Sequence, residues 1–124
     1  MNWILVAFGG ALGAVSRYGI TILTAGYFKS NLISILLVNI SGSLMLGLFI
    51  GISLNKQTFY SEYNLLIAVG FLASFTTFST ITVNTIQLAS EGEFLKASTN
   101  IIATLILGLI AALIGLYLGK IISP

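Results

Sequence analysis

The chain has 124 residues, of which 57% are hydrophobic and only 6% are charged. This composition and a mean hydropathy of +1.09 exclude a water-soluble globular domain and predict a membrane protein. The sequence contains no cysteine and no histidine, and its only carboxylates are Glu62, Glu91 and Glu93. Disulfides, thiolate metal sites, proton relays and paired catalytic carboxylates therefore lack the residues that form them, and we expect no catalytic site. The pI near 9.1 reflects very few charges, so we expect no nucleic-acid partner.

Four long apolar stretches predict an all-α protein with four transmembrane helices, which we interpret as a single domain covering residues 1–124. Each stretch is long enough for a bilayer core, which needs ~20 helical residues. No basic segment precedes the first apolar run, so we expect no cleaved signal peptide. The predicted helices cover about residues 3–25, 32–54, 65–88 and 99–122.

The first span combines a strip of small residues with a deeply placed arginine. Gly9, Gly10, Gly13 and Ala14 allow close helix packing. Arg17 has no acidic partner inside the membrane, and burying it costs at least ~2.5 kcal/mol. Two interpretations stay open: Arg17 caps a broken helix or extends towards the nearer membrane surface, or it attracts anions.

The second and fourth spans each carry a polar residue of interest. Asn39 is the strongly polar side chain of the second span, where Ser43, Gly47 and Gly51 repeat at four-residue spacing as a packing face. Its amide either bonds a neighbouring helix or donates to an anion. In the fourth span, Thr104 lies in a small, weakly polar stripe and is the residue there with a candidate role beyond packing.

The third span is unusual because five hydroxyl residues lie between Thr76 and Thr82. Hydroxyls bond back to helix carbonyls and favour bends, so we predict a helix broken near its middle. Phe71, Phe75 and Phe78 are spaced as one face of a helix. The alternative is that the Ser and Thr residues only pack helices together.

The lysines give no net orientation signal. Four spans place Lys56 and Lys120 on one side of the membrane and Lys29 and Lys96 on the other. Such a balance predicts insertion in both orientations, from which an antiparallel pair of copies can form.

Three segments together resemble the Fluc family of small bacterial fluoride channels. They are residues 9–18 (GGALGAVSRY), residues 38–43 (VNISGS), and residues 70–71 with 76–80 (GF and TTFST). The resemblance implies a fluoride-selective channel in the cell membrane that exports fluoride and relieves its toxicity. It also implies an antiparallel dual-topology dimer with two pores and a central structural sodium ion, the second copy being identical or homologous.

The resemblance further implies roles for individual residues. Sodium would be held by the backbone carbonyls of Ala73 and Thr76, and Arg17 would line an anion vestibule or support the helix break. The residues implied in the fluoride pore are Asn39, Phe78, Ser79, Thr80, Ile81 and Thr104.

The sequence departs from the family pattern at several of these places. Ile81 stands where the family usually has phenylalanine, and Ala73-Ser74 where it has two glycines. Asn100 replaces a common tyrosine, and Gly108 a frequent serine. These differences keep two alternatives open: one subunit of a heteromeric fluoride channel with a degenerate pore, or a non-conducting assembly subunit. A proton-coupled small multidrug exporter is disfavoured because each Glu falls in a predicted loop.

Overall fold

A computed structural model describes residues 2–54 and 62–123, and within these ranges the chain is helical with short connections. The 55–61 connection, with Lys56, lies outside the described residues. The helices are α1 (Asn2–Phe28), α2 (Asn31–Ser53), α3 (residues 64–75, a π-helical section Asn64–Leu72 with a final turn Ala73–Phe75), α4 (Ser79–Ser90) and α5 (Phe94–Ile122).

The four predicted spans are confirmed, because α1, α2, α3 with α4, and α5 are each long and apolar enough to cross a bilayer. The protein is therefore an all-α, multi-pass membrane protein. Many large apolar side chains face outwards, as they do in a helix bundle surrounded by lipid.

Helix α2 packs mainly along α5 through small residues on both sides. A Cβ atom added to Gly47 or Gly51 would collide with the backbone of α5, and one added to Gly115 or Gly119 would collide with the backbone of α2. Helices associate in lipid chiefly by such close contact, since no hydrophobic force drives them together there. The four-residue spacing of Gly47 and Gly51 predicted this packing face.

Helix α1 packs on the π-helical section of α3 in the same manner. Gly9 and Gly13 lie directly against the carbonyls of Leu66 and Phe71, where no side chain fits. The glycine strip of the first span therefore determines where α1 crosses the third span.

The third span is broken, as predicted, but slightly later than the expected kink at residues 73–76. Ala73 keeps helical torsions (φ −66°, ψ −31°), whereas Thr76 is extended (φ −80°, ψ 159°) and residues 76–78 are not helical. The Thr76 N–H still donates to the Leu72 carbonyl at 3.1 Å. Since the chain leaves the helix only after Ala73, that position does not need the conformational freedom of glycine.

The break also corrects the interpretation of the phenylalanines as one helical face. The rings of Phe71 and Phe75 stack with their centroids 5.8 Å apart, and Phe75 is buried. Phe78 lies beyond the extended residues and is 63% exposed. The break interrupts the helical period, so Phe78 does not continue the face of the other two rings.

The last helix begins at Phe94, earlier than the predicted start near residue 99. Gly92 has φ 79°, a conformation that favours glycine, and it turns the chain tightly after α4. The Ala97 N–H donates to the Glu93 carbonyl at 2.9 Å, and the Glu93 carboxylate pairs with Lys96 at 3.1 Å. Residues 94–98, which the composition assigned to a polar loop, therefore form the first turn of α5.

Candidate functional site

The polar centre of the protein is the pair formed by Asn39 on α2 and Thr77 in the break. The Asn39 Nδ2 donates to the Thr77 carbonyl at 3.1 Å, and the Thr77 N–H donates to the Asn39 Oδ1 at 2.8 Å. Asn39 is only 7% exposed. A broken helix inside a membrane leaves backbone groups that water cannot reach, and this side chain satisfies both groups of one residue. Asn39 thus bonds a neighbouring helix segment, one of its two predicted roles.

Arg17 contacts the break from α1. Its Nη1 donates to the Thr76 carbonyl at 3.2 Å, and the side chain is half-buried. This contact agrees with the interpretation that Arg17 supports a broken helix. It also places a fixed positive charge next to the non-helical residues, where the field of the guanidinium favours an anion.

The hydroxyls of the break bond largely within the segment itself. The Thr76 Oγ1 donates to the Leu72 carbonyl at 3.1 Å, which is the back-bonding predicted for this cluster. The Thr77 Oγ1 lies 3.0 Å from the Thr80 Oγ1 and 3.4 Å from the Ser79 Oγ, and it accepts from the Thr80 N–H at 3.4 Å. Thr77 therefore caps the start of α4 in the manner of an N-cap residue.

Two predicted pore residues have opposite environments. Phe78 is 63% exposed on the surface of the chain, whereas Ile81, in the first turn of α4, is 3% exposed. A pathway lined by the Phe78 ring therefore lies at the outer surface of a single chain. The Ile81 side chain is packed inside it.

The chain matches a known protein family over most of its length. Residues 4–116 match the family described as "CrcB-like protein, Camphor Resistance (CrcB)". The chain belongs to the CrcB family. Curated relatives of the chain carry the name FluC, so the resemblance to the Fluc family inferred from the motifs of the first three spans is confirmed.

Curated relatives of this CrcB chain align over nearly its whole length. "Fluoride-specific ion channel FluC" of Dehalococcoides mccartyi is 37% identical over 121 residues, covering 97% of this chain and 93% of the relative. The protein of the same name from Francisella philomiragia is 39% identical over 118 residues, covering 92% and 91%. "Fluoride-specific ion channel FluC 1" of Listeria monocytogenes is 36% identical over 120 residues, covering 96% and 98%.

In the CrcB chain, the last predicted pore residue, Thr104, is nearly buried and donates to the Asn100 carbonyl at 2.7 Å. The Asn100 side chain continues this connection towards α4, with its Nδ2 2.9 Å from the Thr85 Oγ1 and 3.3 Å from the Ile81 carbonyl. The sequence identified Asn100 as a departure from the family pattern but assigned no role to its side chain or to Thr85. The hydroxyls of Thr85 and Thr104 could have been expected to bond the carbonyls four residues earlier, at Ile81 and Asn100. The bond from Asn100 to Thr85 joins two helices and has no local sequence signal.

The sodium site implied by the resemblance depends on backbone carbonyls of the CrcB chain. The described residues contain no cluster of acidic, His or Cys side chains able to hold a metal, so carbonyls would have to serve. Because the Thr77 N–H donates to Asn39, the Ala73 carbonyl loses its usual helical donor, and Ala73 is exposed on the chain surface. The Thr76 carbonyl already accepts from Arg17, but a carbonyl oxygen has a second lone pair. These oxygens fit a hard monovalent cation, with the Arg17 charge opposing its binding.

Proposed function

We propose that this CrcB protein is a fluoride channel that lets fluoride leave the cell and so relieves its toxicity. The observation that carries the proposal is the membrane-embedded break, where Asn39 and Arg17 place hydrogen-bond donors and a positive charge around an irregular backbone. Irregular backbone at membrane depth is tolerated where it lines a cavity or is covered by protein. The names of the curated relatives support fluoride as the ion.

The chemistry of the break suits a small anion better than a cation or a proton. A dehydrated fluoride needs N–H or O–H donors, and the Asn39 amide has two N–H groups, of which one donates to Thr77. Ser79 and Thr80 carry further hydroxyls along the proposed pore, whereas the single O–H of Thr104 donates to the Asn100 carbonyl. The ring edge of Phe78 is electropositive and can face an anion without a strong bond that would trap it.

A second copy in antiparallel orientation completes the proposed pore. Phe78 is exposed on the single chain, so a partner surface is needed to enclose it. The balanced lysines allow the two orientations that such a dimer requires. The dimer would contain two pores, and the Ala73 and Thr76 carbonyls of both copies would hold the structural sodium. A cation bound there supplies positive charge in a region of low dielectric.

The test is fluoride release from liposomes that contain the purified chain alone, followed with a fluoride electrode. A potassium ionophore balances the charge, and liposomes without protein give the background. We expect fluoride release well above background and chloride release close to it. Equal release of both ions, or none, would remove the proposal of a fluoride channel formed by this chain alone.

Ile81 favours a second candidate, one subunit of a heteromeric channel. Its buried aliphatic side chain offers no ring edge where the family usually has phenylalanine. If the chain alone releases no fluoride, reconstitution together with an unlike family member distinguishes a heteromeric channel subunit from a non-conducting assembly protein. Restored fluoride release would identify a heteromeric subunit, whereas continued silence would favour a non-conducting assembly protein.

A further inference from the structure

Asn100 joins α5 to the first turns of α4. Its Nδ2 donates to the Thr85 Oγ1 at 2.9 Å and lies 3.3 Å from the Ile81 carbonyl. The Thr85 Oγ1 in turn donates to the same Ile81 carbonyl at 2.8 Å. Three polar groups from two helices thus converge beside the backbone of Ile81.

The main chain of Asn100 makes a second connection. Its carbonyl accepts from the Thr104 Oγ1 at 2.7 Å, so Asn100 is bonded on one side to Thr104 and on the other to Ile81. Both of these residues belong to the proposed pathway, and their exposed fractions are 9% and 3%. Asn100 therefore connects two residues of the proposed pathway, one on its own helix and one on α4.

The break makes this connection important. In a continuous helix, the backbone ladder of α3 would fix the rotation of α4 about its own axis. Here residues 76–78 interrupt the ladder, so side-chain bonds to α4, such as those from Asn100, help to fix its rotation. In lipid, no water replaces such a bond when it is lost. Without it, α4 can turn, and Ser79 and Thr80 turn with it.

We propose that Asn100 is a positioning residue for ion selectivity: it holds α4 at the rotation that presents the Ser79 and Thr80 hydroxyls to the anion. The proposal rests on the proposed fluoride channel. Asn100 acts through Thr85 and the Ile81 carbonyl and does not itself need to contact the ion.

The test compares three variants with the native chain in liposomes. Asn100→Leu keeps the approximate size of the side chain and removes its donors. Thr85→Val keeps the shape and removes the acceptor. Thr99→Val is the matched control. Thr99 and Asn100 both border a cavity of about 330 Å³, but the Thr99 hydroxyl donates within its own helix, to the Leu95 carbonyl at 2.8 Å.

We expect Asn100→Leu and Thr85→Val each to lower the fluoride-to-chloride selectivity by about tenfold. A change of about tenfold corresponds to the free energy of one hydrogen bond. Thr99→Val should keep native selectivity. The double variant should be no worse than Asn100→Leu alone, because both changes remove the same connection. Thr85→Val also tests the proposal if Asn100→Leu does not assemble.

The results separate this inference from the proposed function. If the native chain shows no fluoride flux, the channel formed by this chain alone is rejected and the inference with it. If the native chain conducts but Thr85→Val and any assembled Asn100→Leu keep native selectivity, only the positioning role is overturned. Full additivity of the two selectivity losses in the double variant would also overturn it, because two changes that remove the same hydrogen bond should not add.

Discussion

Asn39 and Thr77 bond each other twice, with Nδ2 donating to the Thr77 carbonyl at 3.1 Å and Oδ1 accepting from the Thr77 N–H at 2.8 Å. The Asn39 side chain thereby replaces the backbone hydrogen-bond partners that Thr77 would have in a continuous helix. The exchange requires one donor and one acceptor on the same planar group, which the Asn39 amide supplies without carrying a charge.

The first prediction concerns the replacement Asn39→Asp. The carboxylate can still accept from the Thr77 N–H, but it repels the Thr77 carbonyl and any nearby anion. We expect fluoride flux in liposomes to fall by about 100-fold or more, as when one essential donor is lost from an anion site. Ser41→Ala is the control, because the Ser41 hydroxyl bonds within α2, to the Val38 carbonyl at 3.0 Å. Normal flux in assembled Asn39→Asp would leave Asn39 with a packing role only.

The second prediction concerns Thr76 and the proposed sodium ion. Thr76→Ala removes the hydroxyl bond to Leu72 but leaves the backbone carbonyl, so sodium should still stabilise the variant against heat, though less than it stabilises the native chain. Thr76→Pro should be worse by about 3 kcal/mol in unfolding free energy. The native φ of −80° suits proline. The cost arises because the N–H bond to Leu72 is lost and because Phe75, which is helical, would precede a proline.

The measurement for this second prediction is thermal unfolding of the detergent-solubilised protein in sodium, potassium and N-methylglucamine salts. A midpoint that is higher only in sodium would support the site. Equal midpoints in the three salts for the native chain would remove the sodium ion from the proposal.

The third prediction concerns the contact between α2 and the break. A Cβ atom at Gly42 would overlap the Thr76 Cγ2 and lie 3.1 Å from the Phe75 ring. Gly42→Ala should therefore destabilise the fold by about 1–3 kcal/mol, the usual cost of overpacking. Gly26→Ala in α1 is the matched control, since its Cβ would meet nothing within 4 Å. Unfolding midpoints in detergent compare the two, and an equal effect at both glycines would contradict the close approach.

The fourth prediction is mixed membrane orientation. The lysine balance predicts that reporters fused at Pro124 will be found on both sides of the membrane. Adding two lysines beside Lys56 should drive the chain to place that connection in the cytoplasm, whereas adding two beside Lys29 should do the opposite. A single orientation of the native chain would count against the antiparallel homodimer. It would favour a homologous partner subunit that inserts in the opposite orientation.

The sequence predicted the parts of the structure that depend on local composition. Apolar length located the spans, small-residue spacing located the packing faces of α1 and α2, and clustered hydroxyls located the break. The start of α5 was missed because the charges of Glu93 and Lys96 resemble a loop until their pairing within one helical turn is seen. The partners of Arg17 and Asn39 could not be predicted, because both bonds reach backbone atoms far along the chain. Backbone acceptors carry no sequence signal.

The pairing of α2 with α5 has a consequence for the order in which the protein assembles during synthesis. Helix α1 meets its glycine-lined contact as soon as α3 enters the membrane, but Gly47 and Gly51 on α2 have to wait for Gly115 and Gly119 on α5. Until then, α2 shows a grooved face to lipid, which fills such a surface poorly. The Asn39–Thr77 exchange can form earlier, since α2 and the break are both made before α5. Helix α5 can therefore close onto a polar centre that is already in place, and its arrival completes the bundle.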